Sequence, residues 1–218
     1  PVVIHGGGTI EGIAVGGLPD SIVDADMLAS NAVTSVKILD DAVTSAKIVG
    51  SAVTTGKISG FNEGITGYDT WSLTANKNWS GTNFLNADFS RNTNFPSIGS
   101  AITKDNTVFT FPTTGLWEVY FQAAAFDSTE NSYTQVWVDK SNDGGSSNWS
   151  TITNSFSHIA DDGSNEVYGG SFCQALVDVD NVSNIKLRFG TANEQGANFR
   201  GHASTLITGV IFKRIGDT

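Results

Sequence analysis

The sequence predicts an all-β chain that associates with copies of itself, and three observations carry that prediction. Branched aliphatic residues recur every five positions at Val23, Leu28, Val33, Ile38, Val43, Ile48, Val53 and Ile58. All five Trp and all 13 Phe lie beyond residue 60. In that same region alternating apolar stretches follow one another between Gly, Asn, Asp and Ser clusters, with no amphipathic helix among them, which is the pattern of a sandwich or jelly roll. Composition and repeat together divide the chain into residues 1–20, 21–60 and 61–218.

Residues 1–20 are rich in Gly, as in Ile4-His5-Gly6-Gly7-Gly8 and Gly16-Gly17-Leu18-Pro19. Short β-like pieces separated by Gly suit an anchoring segment that docks on another protein by adding a strand. A phosphate cradle would require dinucleotide Gly spacing or a Gly-Lys-Ser/Thr ending, and neither is present. Pro1 is the residue that removal of an initiator Met leaves, so the chain is expected to begin at its natural start, without a signal peptide.

Residues 21–60 carry the five-residue recurrence, superposed on a ten-residue repeat in which Ala32-Val33, Ala42-Val43 and Ala52-Val53 alternate with Lys37-Ile38, Lys47-Ile48 and Lys57-Ile58. A step of five turns a helical side chain by about 140°, which spirals the anchors around the helix. In a continuous strand an odd step sends successive anchors to opposite faces. The backbone is therefore expected to turn once per pentad, at the Thr, Ser, Asp and Gly residues between anchors. Burying one aliphatic side chain yields roughly 1.5–3 kcal/mol, whereas ordering each backbone residue costs roughly 1–2 kcal/mol. One anchor cannot hold five residues within a single chain, so the stripe predicts a rope of several copies, three in number. A flexible linker of small polar residues is the alternative, but a linker has no reason to keep its anchors in phase eight times. Lys37, Lys47 and Lys57 read as solvated flanks of the stripe rather than as a groove for ligand.

Residues 61–218 read as a succession of strands. Val108-Phe109-Thr110-Phe111 leads through Pro112-Thr113-Thr114-Gly115 into Leu116-Trp117-Glu118-Val119-Tyr120-Phe121-Gln122-Ala123. Further strands are predicted over 133–138, 151–159, 167–177, 184–189 and 206–213, with turns at 141–146 and 161–165 between them.

The segment Ile98-Gly99 with Asn106-Thr107-Val108-Phe109-Thr110-Phe111-Pro112-Thr113-Thr114-Gly115-Leu116-Trp117, then Ala175-Leu176-Val177-Asp178-Val179, Ile185-Lys186-Leu187-Arg188-Phe189 and the closing Ser204-Thr205-Leu206-Ile207-Thr208-Gly209-Val210-Ile211-Phe212, resembles the complement C1q-like and tumour necrosis factor-like trimeric jelly roll. That resemblance implies a trimeric knob whose closing strand lines the threefold axis through Leu206, Thr208, Val210 and Phe212. The collagen repeats of the complement relatives have no counterpart here. In their place the Ala-Val-Thr-Ser-Ala-Lys-Ile decad, together with the Gly-rich opening, resembles tail-fibre proteins of bacteriophages. The resemblances together imply a homotrimeric fibre with an N-terminal anchoring segment, a repeat-built shaft and a C-terminal jelly-roll knob. They place it on a virion, made in the host cytoplasm, with another virion protein held by the N-terminal segment and a host cell-surface glycan or protein held by the knob. A capsid or neck decoration fibre without a receptor, and a glycan-cleaving tailspike, are the alternatives.

Composition agrees with a binding rather than a catalytic role. A formal charge of −10 argues against nucleic acid as a partner, and no apolar run is long enough for membrane insertion. Cys173 is the sole cysteine, so no disulfide joins the chain to itself, and its apolar surroundings read as those of a small buried hydrophobe. His5, His158 and His202 have no metal-ligand spacing. Asp178 and Asp180 lack the Gly and Glu of a calcium loop; a looser calcium site at Asp139, Asp143, Asp161, Asp162 or Glu166 is the remaining metal possibility. No pair of carboxylates is singled out for glycan hydrolysis, so no enzyme, cofactor or metal is expected. Asn-x-Ser triplets at Asn78, Asn148 and Asn181 read as products of an Asn- and Ser-rich composition. The candidate receptor loop is Asn142, Asp143, Asn148 and Trp149, where an aromatic face sits among adaptable hydrogen-bonding residues. A turn with the indole tucked beneath it is the other reading of the same residues.

Overall fold

The computed structural model describes residues 3–4, 10–11, 33–34, 38, 42–44, 48, 53 and 64–217 apart from 87 and 164. The chain divides into two units, Pro1–Ser59 and Gly60–Thr218. In the first, β1 (Val3–Ile4) and β2 (Ile10–Glu11) pair antiparallel, Val3 opposite Glu11 and Ile4 opposite Ile10. Each of the described pentad anchors Val33, Ile38, Val43, Ile48 and Val53 sits at a backbone bend. Val23, Leu28 and Ile58 lie outside the described residues.

The second unit is built from thirteen strands, β3 (Gly67–Leu73), β4 (Lys77–Trp79), β5 (Asn83–Phe84), β6 (Phe89–Arg91), β7 (Thr103–Asp105), β8 (Val108–Thr110), β9 (Gly115–Asp127), β10 (Asn131–Ser141), β11 (Trp149–Ile159), β12 (Val167–Val179), β13 (Lys186–Asn193), β14 (Ala197–Phe199) and β15 (Gly209–Gly216). One sheet runs β4-β14-β9-β15-β3-β6 with β12 on the other side of β9; the second runs β11-β10-β13-β8-β7 with β5 beside β13. Every pairing is antiparallel. The long strands thus read β3-β15-β9-β12 on one side and β8-β13-β10-β11 on the other, the crossed order of a jelly roll.

Strand β9 illustrates how sequence sets this arrangement. Trp117, Val119, Phe121 and Ala123 are buried between the sheets while Glu118, Tyr120 and Gln122 alternate with them on the outward side, as period two requires. Gly115 opens the strand at φ +128°, and a Cβ there would stand 2.5 Å from the Gly216 carbonyl oxygen, so this corner needs Gly. Between the sheets Phe109 meets Phe189 and Phe212 at 5.1 and 5.6 Å, and Phe121 meets Phe189 at 5.4 Å. Such aromatic pairs add about 0.5–1.5 kcal/mol each beyond area burial. Cys173 is part of this core, where burial pushes its thiol up to about 12.

The predicted knob strands overlap β8 to β13 and β15, Phe111 lying just beyond β8 and residues 184 and 185 just before β13, and one expectation is corrected. β15 begins at Gly209 rather than 206, and Thr208, Val210 and Phe212 are fully buried inside the sandwich of a single chain. They cannot line an axis between copies. The outward residues of this strand are Ile211 and Lys213, one position out of phase with the expectation, because the residues facing the other sheet are Val210 and Phe212.

Strand β3 was not expected from sequence. Its Asp69 is 2% exposed yet accepts hydrogen bonds from the backbone N–H of Thr70 and Ile102 at 3.0 and 2.9 Å and from Arg91 Nε at 2.9 Å. Arg91 also donates to the Ile102 carbonyl and lies over the Trp71 ring at 5.2 Å. One carboxylate therefore joins β3 to β6 and to the segment leading into β7, satisfying groups that burial would otherwise penalise.

Replacing Asp69 by Ala is expected to cost about 3 kcal/mol of unfolding free energy. Removing the half-exposed Lys77–Asp88 pair by Asp88→Ala is expected to cost under about 1 kcal/mol. Urea unfolding of the two variants checks this, and equal losses would contradict the clamp.

Candidate functional site

A sandwich has two outward faces, and in this unit they differ. On the β9-bearing sheet, cross-strand register places Phe172 opposite Gln122, Gln174 opposite Tyr120 and Leu176 opposite Glu118, with Ile211 beside Tyr120 and Lys213 beside Glu118 and Tyr68. Phe172 and Leu176 are each 60% exposed. Phe172 stacks on Tyr120 at 5.7 Å, and Tyr168 on Phe126 at 5.4 Å. Tyr68, Tyr120 and Ile211 line a shallow hollow of about 370 Å³ with Glu118, Gln174 and Lys213. Its polar members are tied to one another, Lys213 to Glu118 as an ion pair and Gln174 Nε2 to Glu118 Oε1 at 2.6 Å. An apolar surface of this kind, with its charges already paired, is the composition of an interface centre rather than of a solvated face. None of these residues was a sequence candidate; the signal was the alternation of apolar residues on both sides of β9 and β12, which a one-faced strand does not show.

The opposite face is polar and aromatic. The expected receptor residues lie at its edge, in the β10–β11 connection. Asp143 organises that loop: its carboxylate accepts from the Ser141 hydroxyl, the Ser146 backbone, the Ser147 hydroxyl and both the backbone and side-chain N–H of Asn148. The Ser141 bond first, with the Asn148 and Ser147 bonds after it and a smaller opposing cost of burial, lowers the Asp143 carboxyl to about 2. Asn148 and Asp143 are thus committed to each other. Trp149 rests on the Arg188 guanidinium, 4.5 Å from its ring centre, and a Cβ on Gly145 would come within 3.3 Å of the indole, so the loop lies close over it. The tucked arrangement is the one found.

Arg188, which sequence reasoning did not single out, is the centre of this face. Its Nε donates to Asp139 Oδ2 at 2.8 Å, and Asp139 also accepts from the Thr151 hydroxyl at 2.7 Å. Phe84 covers the guanidinium at 4.2 Å from the side opposite in strand order to Trp149. In edge contact with Phe84 at 5.7 Å, Trp137 covers Gly190, where any Cβ would stand 2.1 Å from the indole. The Lys186-Leu187-Arg188 alternation held the clue, since Leu187 facing the core turns both cations outward.

The other candidates are dispersed. His158 Nε2 stands 3.4 Å from Glu130, and His202 Nδ1 accepts from the Ser204 backbone. Asp161 accepts from the Gly163 N–H, Asp162 from Asn165 and Glu166 from the Tyr168 hydroxyl. Among the described residues no three His, Cys, Asp or Glu side chains converge in a way that could hold a metal ion.

The depressed Asp143 value fixes a sign. A carboxyl lowered by folding contributes its loop contacts fully above the ordinary carboxylate range and loses them as pH falls through about 2. The backbone amide shifts of Ser146 and Asn148, followed by NMR, are expected to hold from neutral pH to about 3 and to move with a midpoint near 2. A midpoint at 3.8, the ordinary value, would contradict the network.

No family model matches the chain, and no curated protein matches it. Among solved structures, murine APRIL at pH 8.5 is similar with a TM-score of 0.48 at 10% identity, over 68% of this chain and 98% of that one. Eiger TNF from S. frugiperda is similar with a TM-score of 0.48 at 12% identity, over 72% of this chain and 96% of that one. The assignment of a jelly roll rests on this chain's own strand order.

Proposed function

We propose that the chain is a fibre protein of a bacterial virus. Three copies associate through residues 21–60 and through the outward face of the β9-bearing sheet. Residues 1–20 attach the assembly to the particle, and the knob holds the bacterial surface. One observation carries the reading: a single chain leaves two separate sets of apolar side chains in water. The described pentad anchors are 41% exposed at Ile48 and up to 57% at Val43, and Phe172 and Leu176 are more than half exposed. Sheltering the exposed half of each such side chain contributes about half of the roughly 1.5–3 kcal/mol of full burial, and each contact is repeated in every copy of a symmetric assembly. The number three follows the resemblance of the knob segments to a trimeric jelly roll, and the viral setting follows the decad repeat.

Adhesion by such an assembly is multivalent. Once one knob site holds the surface, the others bind at an effective concentration set by their tethering, so weak individual contacts give firm attachment. The function is binding, and no step of it requires a bond to be made or broken.

Replacing Leu176 by Glu is expected to convert the assembly to single chains on light scattering while leaving the β-sheet circular dichroism unchanged, because the side chain makes little contact within its own chain. It is also expected to reduce apparent affinity of the fluorescent protein for host cells by about 100-fold or more. An unchanged mass would contradict the interface, and absence of wild-type binding at micromolar concentration would favour a decoration fibre. Ile48→Asp, which places like charges near one axis, is expected to lower the melting temperature of the assembly; an unchanged melt would count against the shaft packing.

A further inference from the structure

We propose that the outward face of the β10–β13 sheet is a binding site for acidic saccharides, with Arg188 reading the carboxylate or sulfate group. This rests on the adhesion reading and names its ligand class.

Arg188 is held as a flat fork before any ligand arrives. Phe84 and Trp149 cover its guanidinium at 4.2 and 4.5 Å, and Asp139 fixes Nε at 2.8 Å. Its hydrogen bond within the described structure is that one, so both terminal amino groups are left to partners outside the chain, on a side chain 26% exposed. A planar guanidinium immobilised in this way pairs bidentately with an oxyanion and has little rotamer freedom left to lose.

On a molecule whose net charge is −10, Arg188 and Lys186 gather two cations on one strand of this face. Asp139 offsets one positive charge, but Lys186, two residues along the same strand, supplies another from the same face, with Nζ 2.8 Å from the Val182 carbonyl. The nearby Asp143 carboxylate keeps its negative charge, but its oxygens are occupied by neutral donors of its own loop at the edge of the face.

The saccharide part of the inference comes from the same face farther along. Phe156 is 58% exposed and lies opposite Gln135, with Tyr133 in edge contact at 6.2 Å. Gln135 is opposite Ala192 and Asp139 opposite Arg188, so the exposed rings stand about 13 Å along the strands from the guanidinium. Rigid aromatic surface with Gln135 at one end, an anion fork at the other, and Asn154 between them fit an oligosaccharide lying along the strands. A peptide would be expected to pair with a free strand edge instead, and β10 and β13 have none here, each being flanked on both sides.

The test is calorimetric titration of the full chain with tetramers of galacturonic acid and of chondroitin sulfate, against a neutral galactose tetramer and hexaglutamate. At least one acidic saccharide is expected to bind about tenfold or more tightly than both controls. Arg188→Lys, which keeps the charge beside Asp139 but loses the fork, is expected to weaken that binding about tenfold. Phe156→Ala, a change at an exposed ring that leaves folding intact, is expected to weaken it severalfold. Equal binding of acidic and neutral tetramers, binding of neither acidic tetramer, equal binding of hexaglutamate, or indifference to both substitutions would overturn the proposal. Labelled protein on host cells separates this from the adhesion reading. If wild type and Arg188→Lys hold cells equally, the saccharide site fails and adhesion stands; if neither holds cells while acidic tetramers still bind through Arg188, adhesion fails and the site stands.

Discussion

An aliphatic side chain that returns every five residues, at a backbone bend at each of the five described positions, leaves about half of its surface in water there. Water penalises each exposed anchor, and the intervening Thr, Ser, Asp and Gly residues contribute turns but no apolar cover. The knob repeats the condition in another form. Its interior is filled by aromatic rings from both sheets, yet β9, β12 and β15 also carry Tyr120, Phe172, Leu176 and Ile211 on the side that faces away. The proposed self-association would cover both exposures by one means, and the rest of the functional account depends on it.

The two faces of the sandwich divide the work. In the hollow of the β9-bearing sheet Lys213 pairs with Glu118 and the Gln174 amide donates to Glu118, which lets an apolar neighbour cover them without leaving either charge stranded. The β10-bearing sheet does the reverse, leaving the terminal amino groups of Arg188 open while its guanidinium is held between two rings and by a carboxylate at Nε. The first arrangement suits a permanent partner, the second an exchangeable one. Asp69 and Asp143 perform the supporting tasks, the former tying β3 to β6 and the β7 approach, the latter closing the loop that lies over Trp149.

Much of the sandwich was legible because its strands alternate cleanly. Leu116 to Ala123 reads as a strand from the position of Trp117, Val119 and Phe121 alone, and the Pro112 to Gly115 corner announces itself by its turn residues. Strand β3 did not, because Gly67-Tyr68-Asp69-Thr70-Trp71-Ser72-Leu73 buries Asp69, Thr70 and Ser72 and so breaks the apolar alternation on which such a reading depends. The axis residues were misassigned for a related reason. In β15 apolar side chains stand on both faces, and period two says which residues share a face but not which face meets the other sheet. Of the candidate receptor loop, sequence located the turn and its indole, whereas Arg188 is about forty residues farther along and is brought to Trp149 by the β11–β10 and β10–β13 pairings.

The most direct measurement is the sedimentation-equilibrium mass of the intact, unmodified chain at micromolar concentration in physiological salt. Three times the chain mass, independent of concentration over that range, is the result this account requires. A species of single-chain mass, with the pentad anchors and the Tyr120–Phe172 face both left in water, would contradict it.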